Sequence, residues 1–513
     1  MKTGIVVLAI ALIVLPVHPA GSAERAPEPS GEAIRKILDD FERYAIQGMG
    51  NWKVPGMAIA LVRGDETLYE KAFGVREQGK ADPVTVDTIF QIGSTSKAFT
   101  SALVAMLVDE GKAAWTDRVV DHLSDFMLYD PWVTREFRVA DLMAQHSGMA
   151  AHALDGLVMI GYGRDRVIDS LRYVKPATSF RSAFAYQNNL FLVAAKLIER
   201  KTGKTWEENV RERIFAPLGM SASSCDMRSF VTAKNAATLH REIDGKIVTL
   251  PMDWEHLDWV YTYAPAGGVN ASVKDAAKWI RMQAANGFFE GRKIISEENA
   301  KFLHTPQTPT PMTDPVQCYC QGWVWRQASP YPIIWHNGGT SGSKTMIAFI
   351  PEAKLGIVVV SNLIDTMLPE ALAYRFFDLY FGNPLRDWSR EELDKVKEAA
   401  PKAAAGKPVP PATAEPAMPL ERYAGEYSNP VYGAATVMQK GDGLVFTFGP
   451  RKTKIMLRHW NRDVFMGSWS YYGVPEDAGF VAFRVAADGR PVEVALEGMN
   501  EDGCGTFTRV VKP

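Results

Sequence analysis

Hydrophobic and polar positions recur with two periods along this chain. Residues 57–62 (MAIALV) are apolar, Gly64 and Asp65 make a turn, and residues 67–73 return as a second strand, which predicts a β-hairpin. From Ser96 to Glu110, Phe99, Leu103, Met106 and Leu107 recur at helical spacing until Gly111 stops the run. Residues 189–201 predict another helix, closed by Gly203. Residues 344–349 and 355–361 read as paired strands, followed by a helix over 369–380. Strands at both ends with helices between them predict an α+β fold, in which remote segments build one antiparallel sheet and helices pack on it.

The last part of the chain has a different rhythm. Residues 435–439, 444–448, 454–459, 464–467, 480–485 and 492–497 are short strand candidates, separated by turn signals such as Gly441-Asp442-Gly443 and Asp488-Gly489. That spacing predicts a small antiparallel β-barrel or sandwich over 420–513. Before it, residues 401–419 hold six prolines, six alanines and no aromatic residue, and read as an extended linker. At the other end, Lys2 precedes an apolar run over 4–15, Pro16 and Pro19 end it, and Gly21 and Ala23 suit signal peptidase. The expected order is a signal peptide (1–23), a mixed domain (24–400), the linker and the small barrel. The product would be exported to the periplasm or beyond the cell. No later stretch is long and apolar enough to span a membrane, which takes ~20 residues.

Composition narrows the function classes. The 513 residues are 47% hydrophobic and 23% charged, a globular balance. Lys plus Arg is 57 against 59 for Asp plus Glu, a net charge of −2, which gives no case for a nucleic-acid partner. Four cysteines are too few for a disulfide scaffold, and any pairing among Cys225, Cys318, Cys320 and Cys504 stays open. There is no HExxH, P-loop or G-x-S-x-G pattern, so neither a metal nor a cofactor is expected.

Ser94 is the best nucleophile candidate. It sits at a helix start, where backbone potential favours an oxyanion, and Lys97 lies one turn on along the same face. If that lysine is buried, desolvation frees a neutral amine to act as base. The S-x-x-K pattern alone is weak, with roughly one match expected by chance, and Ser341–Lys344 is a second one. Y-x-N occurs at Tyr186–Asn188 and Tyr427–Asn429, and H-x-G at His146–Gly148 and His336–Gly338. Order and context separate them. Ser94–Lys97 opens an apolar helix, Tyr186–Asn188 precedes another, and His336–Gly338 lies between two strand-like runs.

In that order the motifs resemble those of the serine β-lactamase and penicillin-binding-protein superfamily. The closer likeness is to its class C-like branch of esterases, D-aminopeptidases and S12 serine peptidases. Residues 142–148 (LMAQHSG), 218–220 (LGM) and 265–268 (PAGG) add to the likeness, which covers about 34–385. The resemblance implies a β-lactamase/transpeptidase-like sheet with an all-helical subdomain and a hydrolase acting by an acyl-enzyme on amide or ester bonds. It implies Ser94 as the acylated nucleophile, Lys97 as its base partner and Tyr186 as the proton shuttle. Lys97 as a cation would draw the Tyr186 phenol toward neutrality. Asn188 would hold the substrate side and the lysine, and the Ser94 and Gly339 N–H groups would form the oxyanion hole, each such donor being worth ~3–4 kcal/mol.

The chain departs from the family at the third motif. Where K-T-G is common on an edge strand facing substrate, it has His336-Asn337-Gly338. A neutral imidazole attracts a substrate carboxylate less than a lysine does, which argues against strong β-lactamase activity. His146 is expected to be structural, and Trp254, Trp259, Tyr261 and Tyr263 either line the acyl pocket or simply pack. The tail resembles the lipocalin-like module behind some of these hydrolases, which caps the active site or mediates oligomer assembly in relatives. An independent ligand-binding barrel and plain packing are its other readings. The expected partner is a small-molecule or peptide substrate. The alternative for the whole chain is a catalytically idle binding or sensory module that keeps the fold.

Overall fold

In the computed structural model, residues 28–405, 408–409, 411–471, 474–500 and 502–511 are described. The expected export signal, residues 1–23, lies outside them. The first helix, α1 (Gly31–Asn51), is capped by Ser30, whose hydroxyl accepts from the Ala33 N–H. It is followed by the expected hairpin, β1 (Gly56–Arg63) and β2 (Glu66–Gly74). The rest of the sheet comes from over two hundred residues later: β3 (Thr308–Thr313), β4 (Val316–Tyr319), β5 (Val324–Arg326), β6 (Ile333–Gly339), β7 (Lys344–Ile350) and β8 (Leu355–Ser361). All eight strands form one antiparallel sheet in the order β2-β1-β8-β7-β6-β5-β4-β3. The hairpin joins through β1 and β8, with Met57 opposite Ser361 and Arg63 opposite Leu355.

Both faces of β1 are buried, which is why it reads as an unbroken apolar run and not as an alternation. Met57, Ile59 and Leu61 pack with Phe41 of α1 and with Leu372 and Phe376 of the helix after the sheet (Leu368–Phe381). The intervening Ala58, Ala60 and Val62 share the larger core with Ile280 of the helix Val273–Ala284. That helix comes close: a Cβ on Gly356 of β8 would lie 3.0 Å from Ile280 Cδ1. Between residues 97 and 232 the chain forms helices and turns with no named strand, the expected helical subdomain.

The expected linker starts later than its composition suggests. The helix Trp388–Ala405 runs through Pro401 to Ala405, because alanines continue a helix well once it is nucleated. Beyond it, eight antiparallel strands close into a barrel. Six match the expected segments, and Gly425–Asn429 and Thr506–Arg509 complete the ring, with Tyr427 opposite Arg509 and Ser428 opposite Thr508. The interior is filled by the buried rings of Tyr423, Tyr427, Phe446, Phe448, Phe465, Phe483 and Phe507, with neighbouring centroids 4.7–6.2 Å apart. That packing disfavours an independent ligand-binding barrel.

Candidate active site

Ser94 lies in a 3-10 turn, Gly93–Ser96, that leads straight into the helix Lys97–Asp109. Three side-chain bonds hold the turn. Thr95 Oγ1 donates to the Ile92 carbonyl at 2.8 Å, and Ser96 Oγ donates to the Gly93 carbonyl at 2.7 Å and accepts from the Val269 N–H at 3.0 Å. Strand β6 then crosses directly over the turn. A Cβ on Gly338 would lie 2.0 Å from the Ile92 carbonyl oxygen and 3.0 Å from the Ser94 nitrogen. Gly93 has φ +55°, and a Cβ there would lie 2.6 Å from the Gly339 nitrogen. Only glycines allow two backbones this close. Ser94 N–H lies in the first helical turn, where amides have no intrahelical acceptor.

Lys97 is fully buried. Its Nζ is 3.2 Å from Ser94 Oγ, 2.7 Å from Asn188 Oδ1 and 3.0 Å from the Ala266 carbonyl oxygen. The Tyr186 and Phe191 ring centroids are 4.7 and 5.3 Å from it. Among the described residues it makes no ion pair. Burial pulls its pKa from 10.5 down to about 7, with the Asp155 carboxylate opposing. A neutral amine is therefore accessible near pH 7 within reach of the Ser94 hydroxyl.

Tyr186 hydrogen-bonds Ser94, yet its phenol is not acidified. Desolvation pushes its pKa up, the Ser94 bond pulls it down and the Asp155 charge adds to the rise. The expectation that a lysine cation lowers Tyr186 is corrected here: a lysine this desolvated is only partly charged. Tyr186 rests as a proton donor. Asn188 precedes the helix Asn189–Thr202 and joins the site through Lys97, while its Nδ2 donates to Asp155 Oδ2 at 2.6 Å.

His336 also differs from expectation. Strand β6 is interior by sheet order, and β5 pairs only with Ile333–Trp335, so β5 does not extend along His336–Gly339. The imidazole does not reach solvent, with 3% of His336 exposed. Its Nδ1 lies 2.5 Å from the Asn337 carbonyl oxygen and its Nε2 3.0 Å from the Tyr319 hydroxyl. A carbonyl only accepts, so these partners assign the proton to Nδ1 and make Tyr319 the donor to Nε2. Burial first, and Lys97 second, lower its pKa to about 3. The neutrality expected at pH 7 holds, but the ring is buried and is no rim group. Asn337 turns away, its Nδ2 donating to Glu370 at 2.8 Å.

The duplicate motifs serve structure. Lys344 is ion-paired with Glu370 at 3.1 Å. His146 sits between Asp141 (2.8 Å) and Thr308 (2.9 Å), as expected of a structural histidine. Tyr427 donates to the Tyr423 carbonyl and Asn429 to the Cys504 and Thr506 carbonyls, all within the barrel. The four cysteines are free. Of the aromatic cluster, Tyr261 donates to Asn270 at 2.8 Å and Tyr263 to Asn189 at 2.6 Å, so both act in packing. The side chain of Trp254 lies outside the described ones.

Two residues escaped the sequence reading. Asp155 accepts from Asn188 and from His152 Nδ1 (2.9 Å), and its Oδ1 lies 3.2 Å from the Tyr263 hydroxyl. Gln145, at φ +61°, brackets the Gln187 backbone, its Nε2 donating to the carbonyl at 3.1 Å and its Oε1 accepting from the N–H at 2.5 Å. Asp155 sits in a loop with no periodic signal, while Gln145 lay inside the quoted LMAQHSG run without a role.

With this geometry in place, comparison with known proteins is direct. The profile of the family described as Beta-lactamase matches residues 41–376, and that of a domain of unknown function, DUF3471, matches 409–505. The chain belongs to the beta-lactamase family. It is 28% identical over 449 residues to the unguisins hydrolase ungD' of Aspergillus campestris, covering 80% of this chain and 79% of that protein. It is 27% identical over 316 residues to penicillin-binding protein 4 of Amycolatopsis lactamdurans, covering 60% and 81%. The solved octameric penicillin-binding protein homologue from Pyrococcus abyssi superposes with a TM-score of 0.60 at 21% identity, over 89% of this chain and 97% of that one. That likeness extends over most of the fold.

Proposed function

We propose that the chain is an exported serine hydrolase that cleaves amide or ester bonds through an acyl-enzyme on Ser94. The observation that carries this reading is the buried Lys97 amine, 3.2 Å from Ser94 Oγ, with its pKa drawn down to about 7. Neutral Lys97 takes the Ser94 proton as Oγ bonds to the substrate carbonyl carbon. The Ser94 and Gly339 N–H groups hold the oxyanion. Tyr186, protonated at rest, gives its proton to the departing nitrogen or oxygen, and the Lys97 ammonium returns one to the phenolate. Water then enters along the reverse path and frees the acid.

The substrate class follows from charge. At the third motif the chain offers a neutral imidazole that is itself buried, so a substrate carboxylate finds no fixed cation there. Neutral esters and amides suit the site better than β-lactams. An idle binding module would gain nothing from holding an amine in a dry core without a counter-ion, which costs stability. Assembly through the barrel belongs to the same reading; a solution mass above the monomer by light scattering supports it and a monomer removes it.

A panel of short-chain nitrophenyl esters, D-amino-acid amides, small peptides and a chromogenic cephalosporin tests the proposal. The expected result is turnover of neutral esters or amides well above the cephalosporin, lost in Ser94→Ala. Turnover that persists in Ser94→Ala, or none across the panel, contradicts it.

A further inference from the structure

Much of the seam between the barrel and the hydrolase domain runs along residues 154–166. Asp502 Oδ2 accepts from the Leu154 N–H at 3.1 Å, and the Tyr162 hydroxyl donates to the Tyr432 carbonyl at 2.9 Å. Arg166 Nη2 donates to the carbonyls of Pro430 (2.6 Å) and Val431 (2.9 Å). From the barrel side, the Arg451 N–H donates to the Ile160 carbonyl at 3.1 Å. Its Nη1 lies 3.3 Å from the carbonyls of both Met159 and Glu255, and its guanidinium pairs with Asp258. The two surfaces meet closely: a Cβ on Gly449 would lie 2.9 Å from the Ile160 carbonyl oxygen.

The same stretch reaches the catalytic lysine. His152 and Leu154 adopt left-handed backbone at φ +59° and +62°, which non-glycine residues hold only when their surroundings impose it. The His152 N–H donates to the Tyr186 carbonyl at 2.7 Å, and the Ala153 carbonyl accepts from Asn189 Nδ2. Asp155 follows, with its Oδ2 2.6 Å from Asn188 Nδ2. An ionised carboxylate only accepts, so Asn188 must turn its NH2 toward Asp155 and its carbonyl oxygen toward Lys97. The direction of the Asn188 amide, and with it the partner that orients Nζ toward Ser94, is set by Asp155.

We propose that Asp155 is a positioning residue for Lys97, acting through Asn188, and that the barrel holds it in register by the Asp502–Leu154 and Arg451–Ile160 contacts. This rests on the Ser94 acyl-enzyme reading. The barrel is then a working part of the hydrolase, since its contacts fall on the segment that carries Asp155. Asp155 acts on Lys97 and on the Tyr186 phenol, Lys97 acts on the His336 imidazole, and the Tyr186 ring centroid lies 4.7 Å from Nζ. Burial keeps the phenol protonated and the imidazole neutral through the working range, and Asp155 opposes the lowering of the Lys97 pKa by burial.

The test is the rate at which a fluorophosphonate probe labels Ser94 in the full chain, measured from about pH 5 to 9 for wild type, Asp155→Asn, Asp502→Ala and Asp502→Asn. Asp155→Asn should slow labelling about 10- to 100-fold, the scale of a misplaced catalytic group. It should also move the rising limb of the profile to lower pH, because loss of the negative charge favours the neutral amine. Asp502→Ala should slow labelling several-fold without changing KM for a neutral ester. Asp502→Asn leaves one acceptor for the two amides, Leu154 and Cys504, that Asp502 now receives, and it covers the case in which the alanine variant fails to fold. Wild-type rates in Asp155→Asn, or slowing with an unmoved limb, would overturn the role of Asp155. Wild-type rates in the folded Asp502 variants would overturn that of the barrel. Failure of the wild-type chain to label Ser94 would instead bring down the hydrolase reading, and this inference with it.

Discussion

Replacing Lys97 by methionine separates the chemical role of the amine from its volume. In the folded protein the lysine titrates at about 7, against 10.5 when exposed. Below about pH 7 both states carry the proton and the fold bears the whole cost of a buried ammonium. Between pH 7 and 10.5 the unfolded chain binds more protons than the folded one, so wild-type stability rises with pH. The slope approaches 1.36 kcal/mol per pH unit, or roughly 2–3 kcal/mol from pH 7 to 9. Methionine has no such dependence. Its cost is constant, with two acceptors, Asn188 Oδ1 and the Ala266 carbonyl, losing a donor at about 1–3 kcal/mol each if left dry. The assay is urea denaturation of both proteins at several pH values, read as a difference so that shared groups cancel. Wild type should gain on Lys97→Met by roughly 2–3 kcal/mol between pH 7 and 9, while kcat of the variant falls ~10²–10⁴-fold. A flat difference would show that Lys97 does not titrate near neutrality, and its role as base would have to be abandoned.

Ser94→Ala should remove turnover while Ser341→Ala stays within about tenfold, since Lys344 is engaged in an ion pair with Glu370; steady-state kinetics on one ester decides, and equal losses would mean the wrong serine. Tyr186→Phe should lower kcat ~10²–10⁴-fold with KM little changed, as for a lost proton donor, and near-normal kcat would refute the shuttle. His336→Lys should destabilise by roughly 3–5 kcal/mol, because an ammonium would be buried without a counter-ion near Lys97; a thermal melt at wild-type temperature would contradict the buried position. Gly93→Ala should cost most of the activity, since its φ of +55° and the 2.6 Å approach to the Gly339 nitrogen leave no room for a Cβ; unchanged kcat would mean that β6 does not press on the serine turn.

Much of the fold could be read from the chain because its elements carry strong local periodicity. The hairpin, the helix after Ser94, the helix closed by Gly203 and the pair β7–β8 all lie where the pattern put them. The barrel strands that escaped, Gly425–Asn429 and Thr506–Arg509, are short and turn polar side chains such as Glu426 and Thr508 outward, so ring closure alone defines them. The helix through Pro401 escaped because proline and alanine were weighed as linker composition and not as the continuation of an established helix. At the site, Ser94, Lys97, Tyr186 and Asn188 come together as motif order suggested. Asp155 did not show, since its partners Asn188 and Tyr263 are brought to it only by tertiary packing. The burial of His336 likewise depends on Tyr319, seventeen residues away and two strands across the sheet.

The most direct test of the central claim is to treat the folded full-length protein with a fluorophosphonate probe, digest it and map the adduct by mass spectrometry. The account predicts a single adduct on Ser94, with labelling that rises through about pH 7 as Lys97 loses its proton and that disappears in Ser94→Ala. An unmodified Ser94 in folded protein, or an adduct on Ser341 or any other residue in its place, would contradict it.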